Sequence, residues 1–137
     1  MNGVKAFVDT NVIGYLYSKT DLDKKKMALD AINFYDCIIS TQILNEFCNI
    51  SIKKFHRSVP EILKAVNEIY AACVVILLEP ETIKHALEIH KRYQYSYYDS
   101  LIVASALEQD CDYLLSEDMN DGQIIGKMAI KNIFKMP

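Results

Sequence analysis

The chain lacks any apolar run long enough to cross a membrane. Its 137 residues are 51% hydrophobic, but charged residues interrupt the apolar runs well before the roughly 18 to 20 residues that a membrane helix needs. The N-terminus also lacks a signal-peptide pattern. We therefore expect a cytoplasmic protein that does not associate with a membrane. A chain of this length and composition can bury one ordinary core, which predicts a single domain over residues 1–137.

Close cysteine pairs are also missing. The four cysteines are Cys37, Cys48, Cys73 and Cys111, and none belongs to a CxxC motif of the kind that binds zinc or performs redox chemistry. All four lie inside or beside apolar runs. We interpret them as buried, reduced and structural.

An excess of positive charge, by which nucleic-acid-binding proteins are usually recognised, is absent as well. The formal net charge is −3. This value does not exclude a protein that acts on nucleic acid, because bound metal neutralises a carboxylate site and local lysines can contact phosphates. The one tight cluster of positive charge, at residues 24–26, lies in a predicted helix, and we interpret it as a solvated helix face.

Short β-type runs alternate with helical stretches along the chain. The predicted strands span residues 4–8, 37–39, 73–78, 112–115 and, more weakly, 129–134. The predicted helices span residues 11–17, 22–35, 42–55, 60–72, 81–93 and 97–109. This alternation favours a mostly parallel sheet covered by helices, and the continuously apolar runs suit strands that are buried on both faces. We predict an α/β fold, a three-layer α/β/α sandwich with a central sheet of about five strands.

Four acidic residues stand where the loops of such a sheet converge. Asp9 directly follows the first predicted strand, and Asp118 follows the fourth. Glu46 lies in the first turns of the helix after the second strand, and Asp99 in the first turn of the helix before the fourth. Ligands of open α/β sheets bind beyond the carboxyl ends of the strands. The four carboxylates are therefore expected on one rim.

Each acid also has an ordinary structural explanation. Asp9 could cap the next helix, and Asp99 could belong to a capping box with the serine three residues before it. Asp118 precedes a turn-forming cluster at residues 120–122. Glu46 lies on the apolar stripe of its helix, where an unpaired carboxylate is costly unless it bends to water. Their joint placement is what predicts a metal site, and oxygen ligands suit Mg²⁺ or Mn²⁺ rather than zinc.

The segments around these acids resemble the motifs of the PIN-domain family, and specifically its stand-alone VapC-type toxins. The motifs are FVDTN around Asp9, TQILNE ending at Glu46, YDSLIVA around Asp99 and LLSED ending at Asp118. Their order and spacing extend the resemblance over essentially the whole chain.

The resemblance implies that the four carboxylates are the catalytic and metal-binding quartet. It also implies that Thr10 and Ser116 are the small hydroxyl residues that accompany the quartet, and that Asn11 orients Asp9. In the fourth motif the ligand could instead be Asp121, or Asp118 could act through water.

The family resemblance further implies an Mg²⁺-dependent endoribonuclease, with Mn²⁺ as the alternative ion, that leaves a 3′-hydroxyl and a 5′-phosphate. Such a protein would be the toxin of a type II toxin–antitoxin pair. Its expected partners are an RNA substrate, a second copy of itself, and a small antitoxin that wraps the helices within residues 22–55 and inserts an Arg or Lys among the carboxylates.

Cations near the acidic rim would be needed for an RNA backbone. The candidates are Lys53, Lys54 and Arg57, followed by Lys91 and Arg92, although solvated helix ends explain them equally well. Two other functions stay open. One is a PIN-like module that binds RNA or protein with little hydrolysis. The other is a haloacid-dehalogenase-like phosphatase, which needs a second aspartate where this chain has Asn11.

Overall fold

The computed structural model describes residues 3–135. Its strands are β1 (Lys5–Val8), β2 (Asp36–Ser40), β3 (Val74–Ile76), β4 (Tyr113–Leu115), β5 (Ile124–Ile125) and β6 (Met128–Lys131). Its helices are α1 (Thr10–Tyr15), α2 (Leu22–Phe34), α3 (Thr41–Lys53), α4 (Val59–Ala72), α5 (Pro80–Tyr93) and α6 (Tyr97–Glu108).

The strands form one sheet in the order β3-β2-β1-β4-β6-β5, and every pairing except β5 with β6 is parallel. Helices α2, α3 and α6 contact β2, and α6 also contacts β4. These features confirm the predicted α/β fold with a mostly parallel central sheet. The two central strands, β1 and β4, carry the most deeply buried residues of the sheet, which places their carboxyl ends, and the acids that follow them, at its middle.

The six predicted helices are all present, with boundaries displaced by at most two residues. Their starts follow local chemistry. Ser58 and Glu61 form a complete capping box at the start of α4, and Pro60 stands in its first turn, where no amide hydrogen is needed. Helix α6 is buried from Ser100 to Ala106, so it packs inside the molecule rather than along its surface. Among residues 3–135, no helix combines the length and the apolar character that crossing a membrane requires.

The prediction that the strands are buried on both faces is wrong for β3. This strand covers only three residues of the predicted run, and Val74 is 62% exposed while the following Leu77 is 70% exposed. The reason is its position, since β3 pairs only with β2 and forms one edge of the sheet.

The sheet holds six strands within the described residues, one more than the approximate number expected. The additional strand, β5, is two residues long and pairs antiparallel with β6. The turn between them contains Gly126 at a φ of 61°, a conformation that glycine adopts at little cost. A two-residue strand is too short to produce an alternation in the sequence, and its existence depends on this hairpin.

Candidate active site

Asp9 lies at the carboxyl end of the central strand β1 and is 5% exposed. Its backbone N–H donates to the carbonyl of Leu115 at 2.9 Å, so the β1–β4 pairing continues to this residue. One carboxylate oxygen, Oδ1, accepts the N–H of Thr10 at 2.7 Å and caps helix α1. The capping role that the sequence left open is therefore present, and it leaves the second oxygen available for other partners.

The second oxygen of Asp9 faces side chains from β4 and α1. Ser116, fully buried just after β4, donates its hydroxyl to Oδ2 at 2.7 Å. Asn11 donates Nδ2 to the same oxygen at 3.4 Å and to Oδ2 of Asp118 at 3.1 Å. The side-chain oxygen Oδ1 of Asn11 also accepts the backbone N–H of Glu117 at 3.2 Å. One amide therefore fixes the position of the Asp118 loop relative to Asp9.

Glu46 is held by one residue from α1 and one from its own helix. Thr10 donates its hydroxyl to Oε1 at 2.5 Å, and Gln42, one turn earlier on α3, donates Nε2 to Oε2 at 3.3 Å. The same Gln42 nitrogen reaches the carbonyl of Tyr98 at 3.1 Å, at the start of α6. Gln42 is buried and its own Oε1 has no partner. The sequence reasoning did not identify Gln42, although its position four residues before Glu46 on one helix face was the available signal.

Asp99 lies in the first turn of α6. Its backbone N–H donates to the hydroxyl of Ser96 at 3.2 Å, so Ser96 caps the helix. The reciprocal bond of a capping box, from the Asp99 carboxylate back to the cap, is not part of this helix start. The carboxylate instead interacts with the Ser96 side chain, and Asp99 lines the cavity described next.

All four predicted carboxylates line one cavity of about 400 Å³. The complete lining is Asp9, Thr10, Asn11, Glu46, Asn49, Ile50, Asp99 and Asp118. Within residues 3–135, this lining includes no Lys, Arg or His. The four acidic side chains, drawn from one strand end, two helices and one loop, thus share a space whose described lining carries no positive charge.

The electrostatics of the cavity reflect this crowding. Burial raises the pKa of Asp9 to about 6, hydrogen bonds from Ser116 and the Thr10 N–H oppose the rise, and the charges of Asp99 and Glu46 add to it. The pKa of Asp99 is also raised, first by burial and further by the charges of Glu46 and Asp118, against the hydrogen bond from Ser96. A cation in the cavity would relieve this repulsion.

The donor set fits a hard divalent cation. The cavity offers carboxylate, hydroxyl and amide oxygens and no cysteine or histidine, which suits Mg²⁺ or Mn²⁺ and disfavours zinc. No three His, Cys, Asp or Glu side chains among residues 3–135 are gathered into a ready-made ligand cluster. Instead Glu46 and Asp118 are held by Thr10 and Asn11. Direct ligation by the whole quartet would therefore need these side chains to turn inward.

The structure places Asp118 and Asp121 in different surroundings. Asp118 lines the cavity. Asp121 accepts the N–H of Asn132 at 2.8 Å and forms an ion pair with Lys135 at 3.7 Å. Asp121 thus ties the segment after β6 to the loop after β4, and it does not reach the cavity.

The basic residues proposed for the substrate backbone do not line the cavity. Lys53 and Lys54 are exposed at the end of α3. Arg57 donates to the Ser51 hydroxyl at 2.9 Å and to the carbonyl of Tyr17 at 3.1 Å, and its guanidinium lies 4.6 Å from the ring centroid of Phe55. Arg57 therefore holds the α3–α4 connection. Both lysines are exposed, and the Lys54 ammonium lies 5.4 Å from the ring centroid of Phe55.

The lysine cluster at residues 24–26 is not simply a solvated face. Lys24 forms an ion pair with Glu117, and Tyr15 donates its hydroxyl to the same carboxylate at 2.8 Å. Lys24 also lies over the rings of Tyr15 and Phe134. These contacts attach helix α2 to the loop that carries Asp118. Lys26, by contrast, makes only an exposed pair with Asp30.

The sequence matches the model of a protein family described as PIN domain over residues 6–120. No curated protein matches it. Among solved structures it is similar to a toxin–antitoxin complex from Klebsiella pneumoniae, at 17% identity and a TM-score of 0.72, covering 96% of this chain and 99% of the other.

Two further solved structures are similar to this chain. VapC20 from Mycobacterium tuberculosis, a sarcin-ricin loop cleaving toxin, is 16% identical with a TM-score of 0.66, covering 80% of this chain and 86% of its own. VapBC2 from Rickettsia felis, bound to a DNA fragment from the promoter, is 14% identical with a TM-score of 0.69. The match covers 94% of this chain and 98% of the other. At these identities the likeness is one of fold.

Proposed function

This chain belongs to the PIN-domain family, and from that premise we propose that it is a metal-dependent endoribonuclease and the toxin of a type II toxin–antitoxin pair. The observation that carries the proposal is the cavity in which Asp9, Glu46, Asp99 and Asp118 meet without a neighbouring cationic side chain. Phosphodiester hydrolysis needs a positioned nucleophilic water and a place for developing negative charge, and a carboxylate cavity of this kind provides for both through a bound cation.

Asp9, Asp99 and Asp118 would hold the ion, directly or through water, and Glu46 would complete the site or orient the attacking water and accept its proton. A bound Mg²⁺ would lower the pKa of a coordinated water and place positive charge beside the phosphate. The remaining residues position these groups. Ser116 and Asn11 hold the carboxylates from the two central strands, and Thr10 and Gln42 hold Glu46.

The solved structures that are similar to this chain support RNA as the substrate and an antitoxin as the partner. The similar structures include toxin–antitoxin complexes and a toxin that cleaves the sarcin-ricin loop. An antitoxin that wraps the region from α2 to α3 would cover apolar side chains that are exposed in this chain. They are Leu22, Leu29, Phe34, Ile50, Ile52 and Phe55. We expect the toxin to form a homodimer as well.

The direct test is cleavage of a structured RNA by the purified full-length chain, with Mg²⁺, with Mn²⁺, and with EDTA. We expect cleavage that depends on the ion and is abolished in Asp9→Asn and Asp99→Asn. Asp121→Asn is the matched control, since it removes a nearby acid outside the cavity. Equal cleavage by all of these proteins would exclude the mechanism.

The toxin assignment has a separate test in cells. Induction of the chain should arrest growth, and co-expression of a small open reading frame adjoining its gene should relieve the arrest. A chain that binds RNA with unchanged affinity in EDTA and cuts nothing would instead be the binding module that the sequence left open. The phosphatase alternative has no structural support, because Asn11 occupies the position of the acid/base and its amide is bonded to Asp9 and Asp118.

A further inference from the structure

Two free cysteines lie side by side across the β2–β3 pair, away from the carboxylate cavity. Ile38 pairs with Val74 in the parallel register, so the preceding residues, Cys37 and Cys73, stand opposite each other. Opposed residues on neighbouring strands project from the same face of a sheet. Both residues are free thiols, and each thiol is the largest influence on the pKa of the other. The whole of α3 and α4 lies between the two cysteines in the sequence, so they do not form a close cysteine motif.

The pair has a route to solvent although the thiols are only 4% and 7% exposed. Cys37 and Cys73 both line a cavity of about 740 Å³ that opens at the surface between the ends of α2 and α4. Tyr35 and Tyr70 form part of the same wall. The two cysteines therefore lie in the wall of a surface cavity, through which a small molecule would approach the sulfur atoms.

The two thiols are chemically unequal. The Cys37 sulfur faces three backbone carbonyls, those of Tyr35 at 3.6 Å, Ile32 at 3.8 Å and Ala31 at 4.0 Å. The pKa of Cys37 lies above its ordinary range, first because of the neighbouring Cys73 thiol and then because of burial. The neighbouring Cys37 thiol lowers the pKa of Cys73, against the effect of burial. Cys73 is therefore the thiol that ionises first, and the thiolate is the nucleophile in disulfide exchange.

We propose that Cys37 and Cys73 form a dithiol modification site that small disulfides, such as oxidised glutathione, convert to an intramolecular disulfide. The Cys73 thiolate attacks one sulfur of the small disulfide, forms a mixed disulfide and releases one thiol. The Cys37 thiol then gives up its proton and attacks the Cys73 sulfur, which closes the protein disulfide and releases the second thiol. The two protein thiols are oxidised, and one small disulfide is reduced to two thiols.

The resulting bond would join β2 to the end of α4 and enclose α3, the helix that carries Glu46. A crosslink across such a long loop restricts the unfolded chain and stabilises the folded one. The site does not depend on ribonuclease activity, so failure of either proposal leaves the other standing.

The test uses the reduced full-length chain, incubated with oxidised glutathione under native conditions, alkylated after denaturation, and analysed by intact mass and peptide mapping. We expect loss of two of the four free thiols, one peptide linking Cys37 to Cys73, no retained glutathione, and a higher Tm for the oxidised protein. Cys37→Ser should instead stop at a glutathione adduct on Cys73. Cys111→Ser removes another buried cysteine and should oxidise like the wild type.

Retention of all four thiols by the native wild type under conditions that oxidise a small dithiol would overturn the proposal. So would a linkage between any other pair of cysteines, or a stable glutathione adduct in the wild type without closure. The peptide map of the wild type decides the matter even where the Cys37→Ser variant does not fold.

Discussion

The hydroxyl of Ser116, at the end of β4, donates a 2.7 Å hydrogen bond to the carboxylate of Asp9, at the end of β1. The same hydroxyl accepts the backbone N–H groups of Asp118 and Met119, each at 3.3 Å. One buried serine thus links an acid of the central strand to the loop that carries another. The cavity is built on this pair of adjacent strands, and its geometry depends on that bond.

We expect Ser116→Ala to lower the free energy of unfolding by about 1–3 kcal/mol, because three polar groups, two of them in buried hydrogen bonds, lose a partner. RNA cleavage should fall as well, since Asp9 and the Asp118 loop lose their common support. Urea unfolding and a cleavage assay measure the two effects. Ser105→Ala is the control, because Ser105 is equally buried but its hydroxyl has no hydrogen-bond partner. Equal losses in the two variants would contradict the assignment.

The raised pKa of Asp9 predicts a pH-dependent stability of the metal-free protein. In the folded state the Asp9 carboxyl has a pKa of about 6, whereas the ordinary pKa of an aspartate is 3.8. Because the pKa is higher in the folded state than in the unfolded state, protonation of this carboxyl stabilises the fold. The stabilisation is complete below the pKa of the unfolded state and is lost as pH rises through the pKa of the folded state. From this residue alone we expect a loss of about 3 kcal/mol between pH 4 and pH 7 at most.

Asp9→Asn should remove that pH dependence and leave the metal-free variant more stable than wild type at pH 7. Asp99 remains in the variant and contributes in the same direction, so the difference between the two proteins isolates Asp9. Urea unfolding in EDTA across this pH range is the measurement. Added Mg²⁺ should then raise the Tm of the wild type only. Parallel pH profiles for the two proteins would refute the prediction.

Substitution of Asp118 and substitution of Asp121 should affect different properties of the protein. Asp118→Asn should reduce ion binding and cleavage with little change in stability, because its carboxylate lines the cavity and has one hydrogen-bond donor, Asn11. Asp121→Asn should keep cleavage but lose about 1 kcal/mol of stability, since Asp121 holds the N–H of Asn132. Isothermal titration with Mg²⁺ and urea unfolding distinguish the two. The reverse pattern would make Asp121 the ligand.

The three basic residues near the end of α3 should also differ in whether their substitution affects RNA binding or stability. Lys53→Ala with Lys54→Ala should weaken RNA binding and reduce its salt dependence, with stability unchanged, because both lysines are exposed. Arg57→Ala should lower the free energy of unfolding by about 1–3 kcal/mol, since its hydrogen bonds to Ser51 and Tyr17 are lost. RNA titrations at several salt concentrations and urea unfolding provide the comparison. An Arg57→Ala variant of wild-type stability would return Arg57 to the list of substrate contacts.

Lys24→Met should loosen the loop that precedes Asp118, because the ion pair with Glu117 attaches that loop to α2. We expect a loss of about 1 kcal/mol and a measurable drop in cleavage rate. Lys26→Met is the matched control from the same helix, since Lys26 pairs with Asp30 in full solvent, and it should change neither quantity. An identical response of the two variants would restore the interpretation of this cluster as a solvated face.

The local elements were predictable because their signals are local. Capping residues and apolar spacing placed all six helices to within two residues. Strand β3 was overestimated because Val74 and Leu77 read as buried, and exposure depends on which strands stand beside them. Strand β5 was missed because two residues give no period. The four short motifs identified the acids by their resemblance to a family. Taken singly, each acid could equally have been a helix cap, a turn residue or a surface carboxylate.

The resemblance named Asn11 and Ser116 as supporting residues, but most of the hydrogen-bond partners of the supporting residues are remote in sequence and only the fold shows them. Asn11 and Asp118 are 107 positions apart, as are Ser116 and Asp9. Gln42 joins α3 to the start of α6, and Lys24 joins α2 to the loop after β4. Each of these residues, taken alone, reads as an ordinary polar position on a helix or turn.

The sequence by itself determined the α/β class, the helices and the four acids that a parallel sheet would carry to one rim, because periodicity, capping and strand-end position act over a few residues. Only the tertiary structure decided that Asp118 rather than Asp121 enters the cavity. It also decided that Arg57 bonds to Ser51 and Tyr17 and that Cys37 and Cys73 stand opposite each other. These outcomes depend on strand order and register, which bring distant residues within hydrogen-bond reach.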